Sequence, residues 1–469
     1  MAKAPTEIAE RGKIRDTDRR VIVVGGGLAG LACALRLAEE NVATTLIERR
    51  PYAGGKTFSF VDPTSGVEID NGQHLYLRCC TAYRSFVDRL GLSDQMLLQP
   101  RLHVPVLDPA NGRRSAIAAS PGWMPAPLHL GWSLLTFAHL GWREKVALGR
   151  AALPLWRMGA NGRRQLDDLS FADWLRAHGQ SERVINRFWD LIVLPTCNER
   201  SAEVSAQQAA MVFQVGLLDD AHSADIGLPR VGLSRIADAA VEAIKTRGGE
   251  VRRATTVRSL EAEGEMVRRL TYADGSSDSV QAVVLAMPPN AAERLLPEAW
   301  REREDLASLS AFEYSPIVNV HVHWDRPVMD EAFVAVLDPT LQYVFNRSRI
   351  NVSLSESGDG GQWLACSLSG AHETIGRAKQ EVADETIESL RRAFREAREA
   401  RVLHWNVVTE REATFRPSPG MARHRLGAET SIGNLFLAGA WTDTEWPATM
   451  ESAVRSGETA AAAVIRRLR

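Results

Sequence analysis

The chain has 469 residues, with 56 Lys and Arg against 58 Asp and Glu, and 45% of its residues are hydrophobic. A near-neutral chain of ordinary composition carries no electrostatic footprint for nucleic acid, and its length predicts two domains or one fold with large insertions. Cys33, Cys79, Cys80, Cys197 and Cys366 include no C-x-x-C pair, which points to a reducing cytoplasm and away from a disulfide framework or a zinc site.

In chain order, residues 1–19 are polar and charged without an apolar run, and read as a disordered arm, not a signal peptide. Val21 to Val24 reads as a buried parallel strand. Gly25-Gly-Gly27-Leu28-Ala29-Gly30 reads as a turn opening a helix that runs to about Glu40. Gly25 permits the tight turn, Gly27 lets the backbone approach a pyrophosphate, and Gly30 lets helix pack on strand. The helix N-terminus offers free N–H groups and a positive dipole end to phosphates. A second strand, Ala43 to Ile47, delivers Glu48 where a ribose hydroxyl pair would sit. Arg49-Arg50-Pro-Tyr-Ala-Gly54-Gly55-Lys56 then wraps cations and bare backbone around a further part of the same ligand.

Residues 76–227 read as a first insertion of mostly helical pattern. Half of the 12 tryptophans (Trp123, Trp132, Trp142, Trp156, Trp174, Trp189) crowd into it, and Ser115 to Trp142 holds no Lys, Arg, Asp or Glu. Pro121, Pro125 and Pro127 break this stretch, which argues against a spanning helix. Leu128, Trp132 and Leu135 recur at helical spacing. Two readings stay open: the core of a helical domain, or an apolar channel or membrane-surface patch admitting a greasy substrate.

Segment 228–290 returns to the nucleotide unit with a helix from Leu233 to Thr246, a strand into Val257, a hairpin at Asp274-Gly275 and a strand from Ala282 to Ala286. In a second insertion, 291–409, Val318, Val320 and Val322 alternate with Asn319, His321 and His323, the period of a half-buried strand. His321 and His323 share a strand face without a carboxylate or thiol cluster, so no metal site is predicted. Residues 410–469 close the unit with a strand from Leu435 to Ala438, a Gly439-Ala440-Trp441-Thr442-Asp443 loop and an alanine-rich helix with Pro447 in its first turn.

A cofactor running from the first segment to the last suits FAD, whose anionic reduced ring the last helix N-terminus would stabilise. No second glycine fingerprint marks a nicotinamide domain, so the electron donor, NAD(P)H or a redox protein, is expected to bind transiently. The fold class is α/β. A discontinuous Rossmann-type FAD-binding domain (20–75, 228–290 and 410–469) carries an inserted α+β substrate domain (76–227 and 291–409).

The Glu48–Lys56 and Gly439–Gly457 motifs resemble the FAD superfamily of amine oxidases and phytoene desaturases. Three further segments resemble the hydroxysqualene dehydroxylases, the squalene-associated FAD enzymes of hopanoid biosynthesis. These are Asp70-Asn-Gly72-Gln73-His74-Leu-Tyr76, Phe171-Ala-Asp-Trp174-Leu with Phe188-Trp189-Asp190, and Trp441-Thr-Asp-Thr-Glu445-Trp446-Pro-Ala-Thr-Met450-Glu. The resemblance implies FAD contacts at Gly25, Gly27, Leu28, Ala29, Gly30, Glu48, Arg49 and Arg50. It implies others at Gly55, Lys56, Gly72, Gln73, the Val257 backbone, Gly439 and Met450. Ala440 departs from the pattern, which has an aspartate there, and Asp443 is the nearest substitute.

The resemblance also implies a reaction: reductive removal of the hydroxyl of a C30 allylic alcohol, giving squalene and water. Such chemistry needs an acid for the leaving hydroxyl, aromatic walls for an allylic cation, and a hydride held away from water. His74 and Tyr76 are the expected acids, with Glu445 and Asp443 as second choices, and the tryptophan-rich insertion supplies the walls. The rival readings are an oxidative polyprenyl or carotenoid desaturase, an amine oxidase, and a non-catalytic flavin-dependent lipid carrier. The expected location is cytoplasmic, with contact to the inner membrane face peripheral only.

Overall fold

The computed structural model describes residues 20–120, 123–355 and 360–469; the expected arm and Pro121 lie outside the described residues. A five-stranded parallel sheet runs in the order Glu250–Arg252, Thr44–Ile47, Val21–Val24, Ala282–Leu285 and Leu435–Leu437. Three of these strands are completely apolar because both sheet faces are covered. Val21, Val23 and Leu46 face a layer of helices, Leu28–Glu39, Ser234–Thr246 and Met450–Leu468. Ile22, Val24 and Ile47 face the opposite layer, built on the Val257–Glu263 and Met266–Tyr272 hairpin. This is a Rossmann-type arrangement, closed by strands far apart in the chain.

Two local expectations change. The strand expected to end at Val257 instead begins there, because residues 253–256 bend to follow Glu48 and Arg50. The last helix starts at Met450, not at Pro447. Thr449 is its N-cap, its Oγ1 accepting from the Ser452 N–H at 3.3 Å, and this side-chain cap overrides the preference of proline for a first turn.

The second sheet has seven strands, ordered Val402–Phe415, Tyr314–Trp324, Gln362–Ser369, Tyr343–Asn346, Phe333–Val336, His103–Asp108 and Arg113–Ala118. Its last two strands come from the first insertion, which is therefore not wholly helical. The Val402–Phe415 strand passes unbroken through position 410. Tyr314–Trp324 is buried on both faces rather than on one. Val318, Val320 and Val322 pack toward the Lys379–Ala393 helix, while Asn319 and His321 meet the 70–72 loop of the nucleotide unit. The polar half of the alternation marks a buried polar joint, not water.

The helical part of the first insertion has an aromatic core in which Phe171 lies 5.9 Å from Trp174, 5.7 Å from Trp189 and 5.6 Å from Phe213. Trp174 and Trp189 are thus core residues. Trp123, Trp132, Trp142 and Trp156 are exposed, so most of the tryptophan cluster lies outside the core.

Candidate functional site

The glycine turn shows why its residues are small. Gly25 adopts φ +113°, and a Cβ on Gly30 would overlap the Gly25 carbonyl, so helix and strand could not close. Gly27 begins the Leu28–Glu39 helix with no side-chain cap, leaving first-turn N–H groups such as those of Leu28 and Ala29 for a ligand. A second glycine turn clasps the first: the Gly54 N–H donates to the Gly26 carbonyl at 2.8 Å, and a Cβ on Gly55 would come 2.9 Å from Gly27 Cα. Between them Glu48 is buried, its carboxylate accepting from the N–H groups of Gly26 at 2.7 Å and Arg50 at 2.8 Å.

Arg50 braces this turn by donating to the Gly55 carbonyl at 3.1 Å, whereas Arg49 is exposed. The Lys56 ammonium donates to the Glu412 carbonyl and lies 5.8 Å from the Tyr314 ring centre; burial holds its pKa below the usual lysine value. Val257 is buried at the start of its strand, just after the Thr255 N–H donates to the Glu48 carbonyl at 3.0 Å. Gly439 and Met450 belong to the far end, where Gly439 has φ +150° and donates its N–H to Ser456 Oγ at 2.9 Å.

At the departure from the family pattern, Ala440 offers only backbone. A residue not foreseen from the sequence organises this loop. The buried Arg425 guanidinium donates to the carbonyls of Ala440 at 3.3 Å, Trp441 at 3.2 Å and Thr442 at 2.6 Å. Burial lowers its pKa to about 10. Asp443 is exposed and its carboxylate accepts from the Glu445 N–H at 3.3 Å.

A polar joint lies between this cradle and the seven-stranded sheet. Arg347, 3% exposed, forms an ion pair with Asp70 at 2.6 Å and donates to Gln73 Oε1 at 2.7 Å. Asp70 also accepts from Ser59 Oγ and the Leu233 N–H. Asn71 Nδ2 donates to the Lys56 carbonyl at 2.8 Å, and Asn319 Nδ2 to the Asn71 carbonyl at 3.2 Å. A Cβ on Gly72 would come 2.8 Å from Asn319 Nδ2. The alternation in 317–324 could have flagged Asn319; nothing distinguished Arg347 among the many arginines.

The three expected acids part company here. His74 sits in the joint, half-buried, with Nδ1 3.0 Å from the Gly72 carbonyl, and burial lowers its pKa. A carbonyl can only accept, so Nδ1 carries the proton and Nε2 the lone pair of the neutral ring. Tyr76 is packed into the core with its ring 5.3 Å from that of Tyr83 and against Gly227; burial raises its pKa. Glu445 lies on the surface in an ion pair with Arg164. Only His74 is in the joint.

His321 is buried in the same joint and its pKa falls to about 4, chiefly through burial. The folded state therefore holds it neutral while the unfolded chain protonates it near the ordinary histidine value of 6.5. Stability is complete above that pH and drains away as the pH falls from 6.5 toward 4, by about 3 kcal/mol from this residue. Urea unfolding of the protein and of His321→Asn across this range is the check: the variant should show the flatter acid slope. Equal slopes would remove His321 as the cause.

The residues present fit a flavin dinucleotide. The clasped glycine turns leave a backbone-lined cradle, Glu48 stands at the ribose position, and Asn71 Oδ1 and Asn319 Oδ1 are buried without hydrogen-bond partners among the described residues. A family model described as flavin containing amine oxidoreductase matches residues 28–465. The chain is 29% identical over 470 residues to the hydroxysqualene dehydroxylase of Rhodopseudomonas palustris, covering 95% of this chain and 98% of that one. It is 26% identical over 457 residues to a 15-cis-phytoene desaturase of Capsicum annuum, covering 95% and 78% respectively. Among solved structures, a triple variant of putrescine oxidase redesigned in its cofactor binding matches with a TM-score of 0.73 at 19% identity, over 96% of this chain and 99% of that one, a likeness of fold.

Proposed function

The chain belongs to the flavin-containing amine oxidoreductase family, it is an FAD-dependent oxidoreductase, and from that premise we propose that it reductively removes the hydroxyl of hydroxysqualene. The observation that carries this reading is the end-to-end match to a hydroxysqualene dehydroxylase, 95% of one chain against 98% of the other. In this reading residues 20–75, 228–290 and 410–469 hold the cofactor. Residues 76–227 and 291–409 hold a C30 isoprenoid, and a transient donor, NAD(P)H or a redox protein, restores the reduced state.

The net reaction joins the allylic alcohol, one proton and one hydride to give the hydrocarbon and water. Reduced FAD supplies the hydride when bound. The chain supplies the proton route and the dry enclosure. His74 is the one expected acid in the joint. It rests neutral, so it takes up a proton at Nε2 and passes it to the departing hydroxyl, while Gly72 fixes the ring through Nδ1. Arg347 is held by Asp70 and Gln73 and acts as a positioning residue for the loop that carries His74.

The test is an anaerobic single turnover of flavin-reduced protein with hydroxysqualene in detergent. Flavin reoxidation with stoichiometric squalene is expected, and His74→Gln with its FAD retained should slow the step by roughly 100-fold or more. The rate should also rise as pH drops below 6.5, because more His74 is then charged. Near-normal turnover in His74→Gln would remove the acid assignment.

A second reading rests on the phytoene desaturase match, of similar identity. Under it, reduced protein leaves hydroxysqualene unchanged and oxidised protein lengthens a conjugated polyene. Inertness in both directions would favour a flavin-dependent lipid carrier.

A further inference from the structure

The Trp142–Arg157 helix is apolar on two opposite faces. Leu148, Ala151 and Leu155 face inward and are buried. Trp142, Val146, Leu153 and Trp156 are exposed, Trp142 at 71%. Their offsets of 4, 11 and 14 residues place them on one line along the helix. The adjoining short helix Gly131–Thr136, which packs on this one, adds the exposed Trp132 (70%) and Leu135, with Leu128 exposed just before it. Monomeric soluble proteins rarely leave so much clustered apolar surface in water.

Its charged border is specific in sign. Arg143, Arg150 and Arg157 follow one another at seven-residue intervals beside the stripe, all exposed and in no ion pair among the described residues. Arg143 lies 5.5 Å from the Trp142 ring centre. On the other flank the Lys145 ammonium donates to the Leu135 carbonyl at 2.7 Å, joining the two helices. The one acid of the helix, Glu144, is turned away, accepting from the Gly141 N–H at 2.7 Å and pairing with Arg183 at 3.1 Å.

The geometry points to this face as the docking surface for an anionic phospholipid bilayer. Trp142 and Trp156 stand about 21 Å apart along the axis and anchor a helix lying in the plane of the interface. The arginine row meets the lipid headgroups. At 16 residues the helix is too short to cross, and no described helix is long and apolar enough to do so. A bilayer is the occupant that matches an apolar stripe with a purely basic border. A second copy of the chain would have to supply an acidic rim, which this face itself lacks. The inference rests on the proposed function only in that a C30 hydrocarbon resides in lipid, and it holds for a desaturase as well.

The test uses the full flavin-loaded chain with vesicles of phosphatidylglycerol and phosphatidylcholine, or of phosphatidylcholine alone. Co-sedimentation and quenching of tryptophan fluorescence by brominated acyl chains are the readouts. Binding at least tenfold tighter to the anionic vesicles, with quenching, is expected. Trp142→Ser with Trp156→Ser should lose tenfold or more in affinity on both vesicles. Arg143→Gln, Arg150→Gln and Arg157→Gln together should abolish the anionic preference and its salt dependence. All are exposed, so flavin content and melting temperature should hold.

Absence of vesicle binding by the unsubstituted protein would overturn the inference, as would full binding by both variants. A dimer in lipid-free buffer that the tryptophan variant dissociates would reassign the face to a contact between copies. Vesicle binding that persists while hydroxysqualene is not turned over would sink only the proposed reaction.

Discussion

Arg347→Met is expected to lower stability by about 3–5 kcal/mol, the usual cost of stripping one partner from a buried ion pair. Asp70 would keep its bonds from Ser59 and Leu233 on one oxygen, but the other would face a methionine. Gln73 would lose its donor as well, and with it the tether of the loop that carries His74. Chemical denaturation of the variant against the unsubstituted protein measures the loss. The double variant Arg347→Met with Asp70→Asn separates charge from packing, because it leaves no buried unpaired carboxylate and should recover part of the stability. A loss below about 1 kcal/mol in the single variant would mean that the pair is not buried in solution. In the same variants flavin content reports on the cradle. It should fall less than turnover, because Arg347 touches the joint and not the glycine turns.

Gly30→Ala should abolish flavin binding and destabilise the fold, whereas Gly27→Ala should spare the apo fold and lose flavin alone. The reason is geometric. An added Cβ at Gly30 overlaps the backbone oxygen of Gly25, and the nearest relief, Ala286 Cβ, is 3.2 Å away. Backbone cannot step aside as a side chain can, so the first helix must lift from the sheet. At Gly27 the added carbon meets only Gly55 Cα, at 3.9 Å, which is ordinary contact. It therefore fills only space that a pyrophosphate needs. Flavin absorbance per chain, with melting temperature of the flavin-stripped protein, distinguishes the two. Wild-type flavin content in both variants would remove the glycine turn as the cofactor cradle.

The nucleotide unit was legible because its demands are local. Strand, turn, helix and acid lie within 30 residues, and each glycine answers a backbone clash between near neighbours. The helix boundaries shifted by a residue or so, and Thr449 displaced Pro447 as the start of the last helix because a side-chain cap outweighs a backbone preference. The strand at 314–324 was legible in period but not in meaning. Alternating polarity says that the two faces differ; it does not say whether the polar face meets water or a buried loop.

For the expected acids, proximity in sequence misled. Tyr76 is two residues beyond His74, and strand geometry turned it into the core against Tyr83. Glu445 lies beside the last helix, yet its φ of +61° sets it in a surface turn toward Arg164. The tryptophan cluster was equally undecided from its composition, since the same spacing serves a core helix and a bare one. Its neighbours decided it.

By itself the sequence determined the Rossmann-type unit, the flavin dinucleotide and the charge-free stretch from Ser115 to Trp142, because contiguous residues write out turn geometry, close approach and polarity. Only the tertiary structure joined Gln73 to Arg347 across 274 positions, set Arg425 over the Ala440 loop and left Trp132 and Trp142 in solvent. Those outcomes depend on which surfaces remain uncovered once distant segments have packed.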